Sequence, residues 1–299
     1  MNAVPASGNA WLPRLFAGLP KPGPREFSPL EQPMSLPALG NWDSTRSALR
    51  QGLRVVQAVR GSAIAPLPNA LHYSLIPLPS GATSGPLPDG GELRLDYGAT
   101  AIVYRRQEAE VFRVPLAGHD QPGLLDAVVS ALAAAGAPAD PAQDKIAGAG
   151  ELVADGRKAA VYAEIQWRMH AVLARVKSHI LGYQTPVALW PHGFDLSTLW
   201  FASGTDEGVD PHVNLGFSPG TRDIGEPYCY LYAWPAVDAL ATSLPPGMRW
   251  QEGWSTPGAV LPFDEFASAA DPEGIAHDAL SATFESAAHL LSGAEAAAR

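Results

Sequence analysis

The chain predicts an α+β protein in which antiparallel sheets pack against helices, arranged as two similar halves that each run helix, strands, helix. Three observations lead there. Two long segments repeat apolar residues every three or four positions, the spacing of one helix face. Each is followed by short runs of β-branched and aromatic residues separated by Gly and Pro, the mark of antiparallel strands. Each set of strands is then followed by another helical pattern, which points to an internal duplication.

Residues 1–40 hold eight prolines and four glycines without periodicity, so they read as an extended arm whose Trp11, Leu15 and Phe16 could dock on the body. Residues 41–136 make the first half. From Asp43 the residues Leu49, Leu53, Val56 and Val59 form one stripe, with Asp43 or Ser44 as the expected cap. The runs LHYSLIPLPSG, GELRLDYG, TAIVYRR and AEVFRVPLA follow as strands, and QPGLLDAVVSALAAAG as a helix stopped by Gly136. Residues 137–156 are small, polar and aperiodic, the pattern of a linker or surface loop. Residues 157–299 make the second half. Its long helix should bury Tyr162, Ile165, Met169, Val172, Val176 and Ile180. Its strands are PVALWPHGFDLSTLWFASG, HVNLGFS, PYCYLYAWP and GAVLPF. A last helix, capped by Asp271, should bury Ile275, Leu280, Phe284, Ala287 and Leu291. The halves also share a histidine after the first helix, His72 and His192, each followed by a Ser-Gly.

Composition narrows the function. Of 299 residues 46% are apolar and 17% charged, enough for a sizeable core. No apolar run approaches the roughly 18 residues of a membrane span, and no secretory leader opens the chain, so a cytoplasmic protein is expected. A single cysteine, Cys229, excludes a disulfide framework and cysteine-rich metal sites. Thirty acidic against twenty basic residues give a net charge of −10 with no basic cluster, which argues against nucleic acid as a partner.

The segment WPHGFDLSTLWFASG places His192 and Asp195 among aromatics. Pro191 and Gly193 favour a bulge that would bring both side chains to one side, where Asp195 could orient the imidazole and His192 act as a general base. Trp190, Phe194, Trp200 and Phe201 would then build the apolar wall and floor. Tyr228 and Tyr230 share a strand face, with Cys229 and Leu231 on the other and Glu226 at the strand's mouth. His72 and His212 complete the candidate ligand-binding set. No pair of histidines shows a known zinc spacing, there is no GxSxG elbow, and neither glycine-rich loop has phosphate-binding spacing.

WPHGFDLSTLWF, NLGFSPG and EPYCYLYAWP together resemble the signature of a bacterial family catalogued only as a domain of unknown function. PLPSGATSGPLP is similar to that family's strand ending in a Gly-Leu-Thr-Thr turn. The similarity spans about Leu36 to Leu291. Two departures stand out: Gly193 where the family often has a second histidine, and Ala70 and Leu71 where it has an aromatic. The resemblance implies a shared fold and a shared site, supplies no activity or cofactor, and does not carry a pair of adjacent histidines over to this chain.

The expected function is small-molecule binding, or metal-independent acid–base catalysis, in an aromatic-lined pocket with His192, Asp195 and Glu226 as the reactive groups. Two alternatives stand beside it. One is a metal-dependent enzyme drawing on His72, His192 and His212 with Asp195, Asp210 or Glu226; the other is a non-catalytic interaction module. Oligomeric state and ligand identity are not legible.

Overall fold

The computed structural model describes residues 35–143 and 146–298, so residues 1–34 of the arm, with Trp11, Leu15 and Phe16, lie outside the described residues. Residues 35–40 belong to the body: Leu36 and Leu39 are buried, and the Leu36 amide donates to Ala267 O at 2.8 Å. Four α-helices are described, α1 (Asp43–Ala63), α2 (Gln121–Ala134), α3 (Gly156–Ser178) and α4 (Pro272–Ala298). None is long and apolar enough to cross a membrane.

Local chemistry sets the helix starts. Asp120 accepts from the Gly123 amide, Asp155 from those of Arg157 and Lys158, and Asp271 from that of Gly274, each carboxylate meeting N–H groups that lack intrahelical partners. α1 departs from expectation. Its N-cap is Trp42, without a side-chain cap, and Asp43 instead pairs with Arg46 at 2.8 Å. Leu49, Leu53, Val56 and Val59 are buried as the stripe requires, and so are Tyr162, Ile165, Met169, Val172 and Val176 of α3, while Ile180 lies beyond the helix, partly buried against the core. Ile275 is corrected: it is 40% exposed, because the inward stripe of α4 runs through Ala276, Ala279, Leu280, Thr283, Phe284 and Ala287, about 100° around the helix from it.

The strands form two antiparallel sheets. Sheet one contains β1 (Ile76–Leu78), β2 (Gly81–Thr83), β3 (Gly91–Asp96), β4 (Ala101–Arg106) and β5 (Ala109–Pro115), in that spatial order. Sheet two contains β6 (Ala188–Trp190), β7 (Asp195–Phe201), β8 (His212–Ser218), β9 (Tyr228–Trp234), β10 (Arg249–Gln251) and β11 (Gly258–Pro262), in the order β10-β11-β9-β8-β7-β6. The start of the first expected strand is instead a 3-10 segment, Pro68–Tyr73, interrupted by Asn69 and Ala70 at φ 52° and 54°. β2 and β10 are three-residue strands, too short for a periodicity to announce them.

α1 and α2 pack on sheet one, α3 and α4 on sheet two, and one continuous core joins all four. A reciprocal backbone pair joins the sheets: the amides of Leu75 and Leu189 each donate to the other's carbonyl, at 2.8 and 2.9 Å. Strand order matches between the halves through β1–β4 and β6–β9, then differs, since β11 lies inside β10. The matching order is compatible with duplication without establishing it. The histidine correspondence is not reproduced, because His72 precedes β1 whereas His192 sits in the β6–β7 turn.

At the centre four aromatic rings from four elements interlock. Trp42 stacks on Tyr162 with centroids 4.4 Å apart, and Phe194 contacts Tyr162 at 5.1 Å, Tyr97 at 5.8 Å and Trp42 at 6.2 Å. Phe194 is fully buried, so it is a core residue and not the pocket wall that its neighbours in sequence suggest. Phe194→Ala should therefore cost about 3–5 kcal/mol of stability, measured as a lowered midpoint in urea unfolding; a loss below about 1 kcal/mol would show that the knot does not anchor its turn.

Candidate functional site

Sheet two has two unlike faces. Leu196 of β7, Val213, Leu215 and Phe217 of β8, Cys229 and Leu231 of β9, and Leu261 of β11 point into the core beneath α3 and α4. The alternate residues point the other way: Asp195, Ser197 and Leu199 on β7, Asn214, Gly216 and Ser218 on β8, and Tyr228, Tyr230 and Tyr232 on β9. The cross-strand register aligns them in rows, Ser197–Gly216–Tyr230 and Leu199–Asn214–Tyr232. This second face floors an open cleft of about 680 Å3, walled by Trp190, His192, Trp254 and Asp223, with Asn69, Ala70 and Glu207 at its edge.

Two glycines make the floor possible. A Cβ on Gly216 would stand 2.3 Å from Leu196 O and 2.6 Å from the Tyr230 ring, so the tyrosine can lie across β8 only because position 216 has no side chain. A Cβ on Gly193 would stand 2.3 Å from Asp195 Oδ1, so a side chain there would displace the carboxyl.

His192 and Asp195 reach one side by a tight hairpin, not a bulge. Trp190 pairs with Asp195, the Phe194 amide donates to Trp190 O at 2.7 Å, and the four intervening residues turn the chain, with Phe194 at φ 62°. The imidazole is exposed at the cleft wall, near the Trp190 ring. The Asp195 carboxyl lies at the floor, where Tyr230 Oη donates to its Oδ2 at 2.5 Å. Removal from water raises the Asp195 pKa above the ordinary carboxylate value; the Tyr230 hydrogen bond and the nearby His192 oppose the rise. Tyr230 is pushed well above the usual phenol value, first by burial and then by the Asp195 charge. The pair thus forms a short hydrogen bond between two groups that both resist ionisation, an arrangement able to hold or pass a proton.

The other expected site residues divide. Trp190, Tyr228 and Tyr230 line the cleft. Glu226 does not: it is exposed in a separate depression with Asn41, Arg46 and Arg222, because the loop before β9 carries it past the sheet's end. His72 turns back on its own segment, its Nδ1 accepting from the Leu67 amide at 3.1 Å and its ring against Tyr73. His212 is buried between Phe201 and Trp234, its Nδ1 2.9 Å from Asp210 O. Trp200 points to the opposite face, with Nε1 donating to Leu181 O at 2.8 Å and its ring edge-on to Phe284. Phe201 packs against Tyr183 and His212 and is likewise not cleft wall. Among the described residues no three His, Cys, Asp or Glu side chains come together to hold a metal ion. Burial pushes the Cys229 thiol up to about 12, which leaves it unreactive at neutral pH.

Several lining residues escape a reading of motifs. Ser197, Asn214, Ser218 and Tyr232 were visible as polar or tyrosyl residues at every second position of otherwise apolar strands. Asn69, Glu207, Asp223 and Trp254 come from loops that no local pattern brings together. Asn69 binds the distant rim, its Nδ2 donating to Thr205 O at 3.0 Å and its Oδ1 accepting from the Glu207 amide at 2.9 Å.

A partly buried carboxyl with a raised pKa sets a pH dependence. Above the unfolded value of about 4 the folded chain holds the proton more tightly than the unfolded chain, so Asp195 costs stability increasingly as pH rises through its folded pKa. The neutral Asp195→Asn variant lacks this cost. Its melting temperature relative to the parent should rise between about pH 4 and pH 7; a pH-independent difference would show that the carboxyl is not desolvated.

No curated protein and no solved structure matches this chain. A family model does match it, over residues 35–298, which takes in both sheets, all four described helices and every residue of the cleft. The chain belongs to a family of unknown function, DUF5996.

Proposed function

We propose that the protein binds a small organic molecule in the cleft on the open face of sheet two, and that the Asp195–Tyr230 pair with His192 supplies metal-independent acid–base chemistry there. One observation carries the reading. A sheet face that could have been apolar or fully solvated instead gathers Asp195, Ser197, Asn214, Ser218 and three tyrosines in a recess of about 680 Å3, a size suited to a small ligand. Withdrawing such groups from water costs stability that a folding role would not repay, which is the usual mark of a site. The metal-dependent alternative is less well supported, since His72, His192 and His212 lie in three separate settings.

The test is a thermal-shift screen of a diverse metabolite library against the parent, His192→Ala and Tyr230→Phe. Compounds present at 100 times their Kd should stabilise the parent by about 2.7 kcal/mol and lose most of that effect in both variants. Absence of any compound with that dependence would overturn the proposal.

His192→Ala alone should leave stability within about 1 kcal/mol of the parent, because an exposed cleft-wall side chain is not holding the core. A loss of about 2–4 kcal/mol in urea unfolding would make the histidine a structural residue and remove it from the site.

A further inference from the structure

The cleft is one-sided in charge. Its lining carries the exposed carboxylates of Glu207 and Asp223, and among the described residues no lysine or arginine, with His192 as its basic side chain. An anion entering it would meet like charge in a partly desolvated setting; a cation would meet the opposite.

Its aromatic groups are arranged to suit a cation as well. The Tyr230 and Tyr232 rings are nearly parallel, 8° apart in orientation with centroids 6.3 Å apart. Trp254 stands almost perpendicular to Tyr230 at 6.3 Å and lies 6.0 Å from Tyr228. Tyr228 and Tyr230 are buried in this cluster, whereas Tyr232 and Trp254 are half-buried and line the cleft, where an aromatic face attracts an organic ammonium group.

A third, independent feature selects among cations. Asn214 is 7% exposed, its Nδ2 donates to Tyr232 Oη at 2.7 Å, and its Oδ1 has no hydrogen-bond partner. A buried acceptor left without a donor is costly, and in a ligand site it marks where a ligand N–H or O–H belongs. A quaternary ammonium could not satisfy it.

We propose that the cleft selects a primary or secondary organic ammonium ion, held against Tyr232 and Trp254, with an N–H donated to Asn214 Oδ1 and its charge balanced by Glu207 and Asp223. This rests on the cleft being a small-molecule site. It adds the ligand class: an amine-bearing compound, with its uncharged part lying toward Trp190.

Four probes of one shape test it: benzylammonium, benzyltrimethylammonium, benzyl alcohol and benzoate, titrated at neutral pH while the Trp254 indole N–H is followed by NMR. Benzylammonium should perturb Trp254 and bind about tenfold or more tighter than benzyl alcohol, with benzoate weaker still. Benzyltrimethylammonium should bind more weakly than benzylammonium in the parent, and Asn214→Ala should close that gap. Equal binding of the two cations by the parent would overturn the role given to Asn214 and the selection it implies. If benzyl alcohol or benzoate moves the Trp254 signal as strongly as benzylammonium does, selection for ammonium is wrong while the small-molecule cleft stands. If none of the four moves it, and the metabolite screen is also empty, both readings fall.

Discussion

The packing of Phe194 against Trp42, Tyr97 and Tyr162 is the contact on which the rest of the molecule turns. These rings come from the β6–β7 turn, the residue before α1, the residue after β3 and the second turn of α3, so one cluster ties both sheets to α1 and α3. It also has a local effect. Phe194 occupies a left-handed backbone conformation that a large L-residue enters at a cost of about 1 kcal/mol or more, and burial of its ring offsets that cost. With Phe194 held inward, the residues on either side are forced outward: His192 onto the cleft wall and Asp195 onto the floor.

The same division of labour runs across sheet two. Alternation along β7, β8 and β9 sends every second residue to the helices and the rest to the cleft, so core and site are built from the same strands without competing for the same positions. Of the six described non-glycine residues at positive φ, Thr100, Gln107 and Glu108 lie in the hairpin turns of sheet one, and Asn69, Ala70 and Phe194 lie at the cleft or directly beneath it. Non-glycine residues persist in such conformations where surrounding structure over-determines them.

How much of this was legible follows from the range of the interactions. The stripes of α1 and α3, the Asp271 cap and the alternation of Tyr228 with Cys229 are local patterns, and each is present as read. The misreadings share one cause. Phe194, Trp200 and Phe201 were grouped with His192 because they are near it in sequence, but the hairpin turn sends Phe194 into the core, strand alternation puts Trp200 on the opposite face, and Phe201 lies at the far end of β7 against Tyr183 and His212. Glu226 has site-like chemistry on a loop that carries it past the sheet's end, and His212, though on the cleft face of β8, is covered between Phe201 and Trp234 at the strand's start. Conversely, Glu207, Asp223 and Trp254 carry no signal except proximity in three dimensions, which one sequence does not encode in any short window.

The two side-chain hydrogen bonds of Asn69 link residues 136 and 138 positions apart, joining the segment before β1 to the loop after β7. That clamp makes the recess a shared possession of the chain's two parts. Neither part could be exchanged, shuffled into another protein or retained alone after a gene fission without losing the rim, however stable its own sheet. During synthesis, too, the amide of Asn69 must wait for a partner made much later, so a formed cleft reports that the whole body, and not merely its second sheet, has come together.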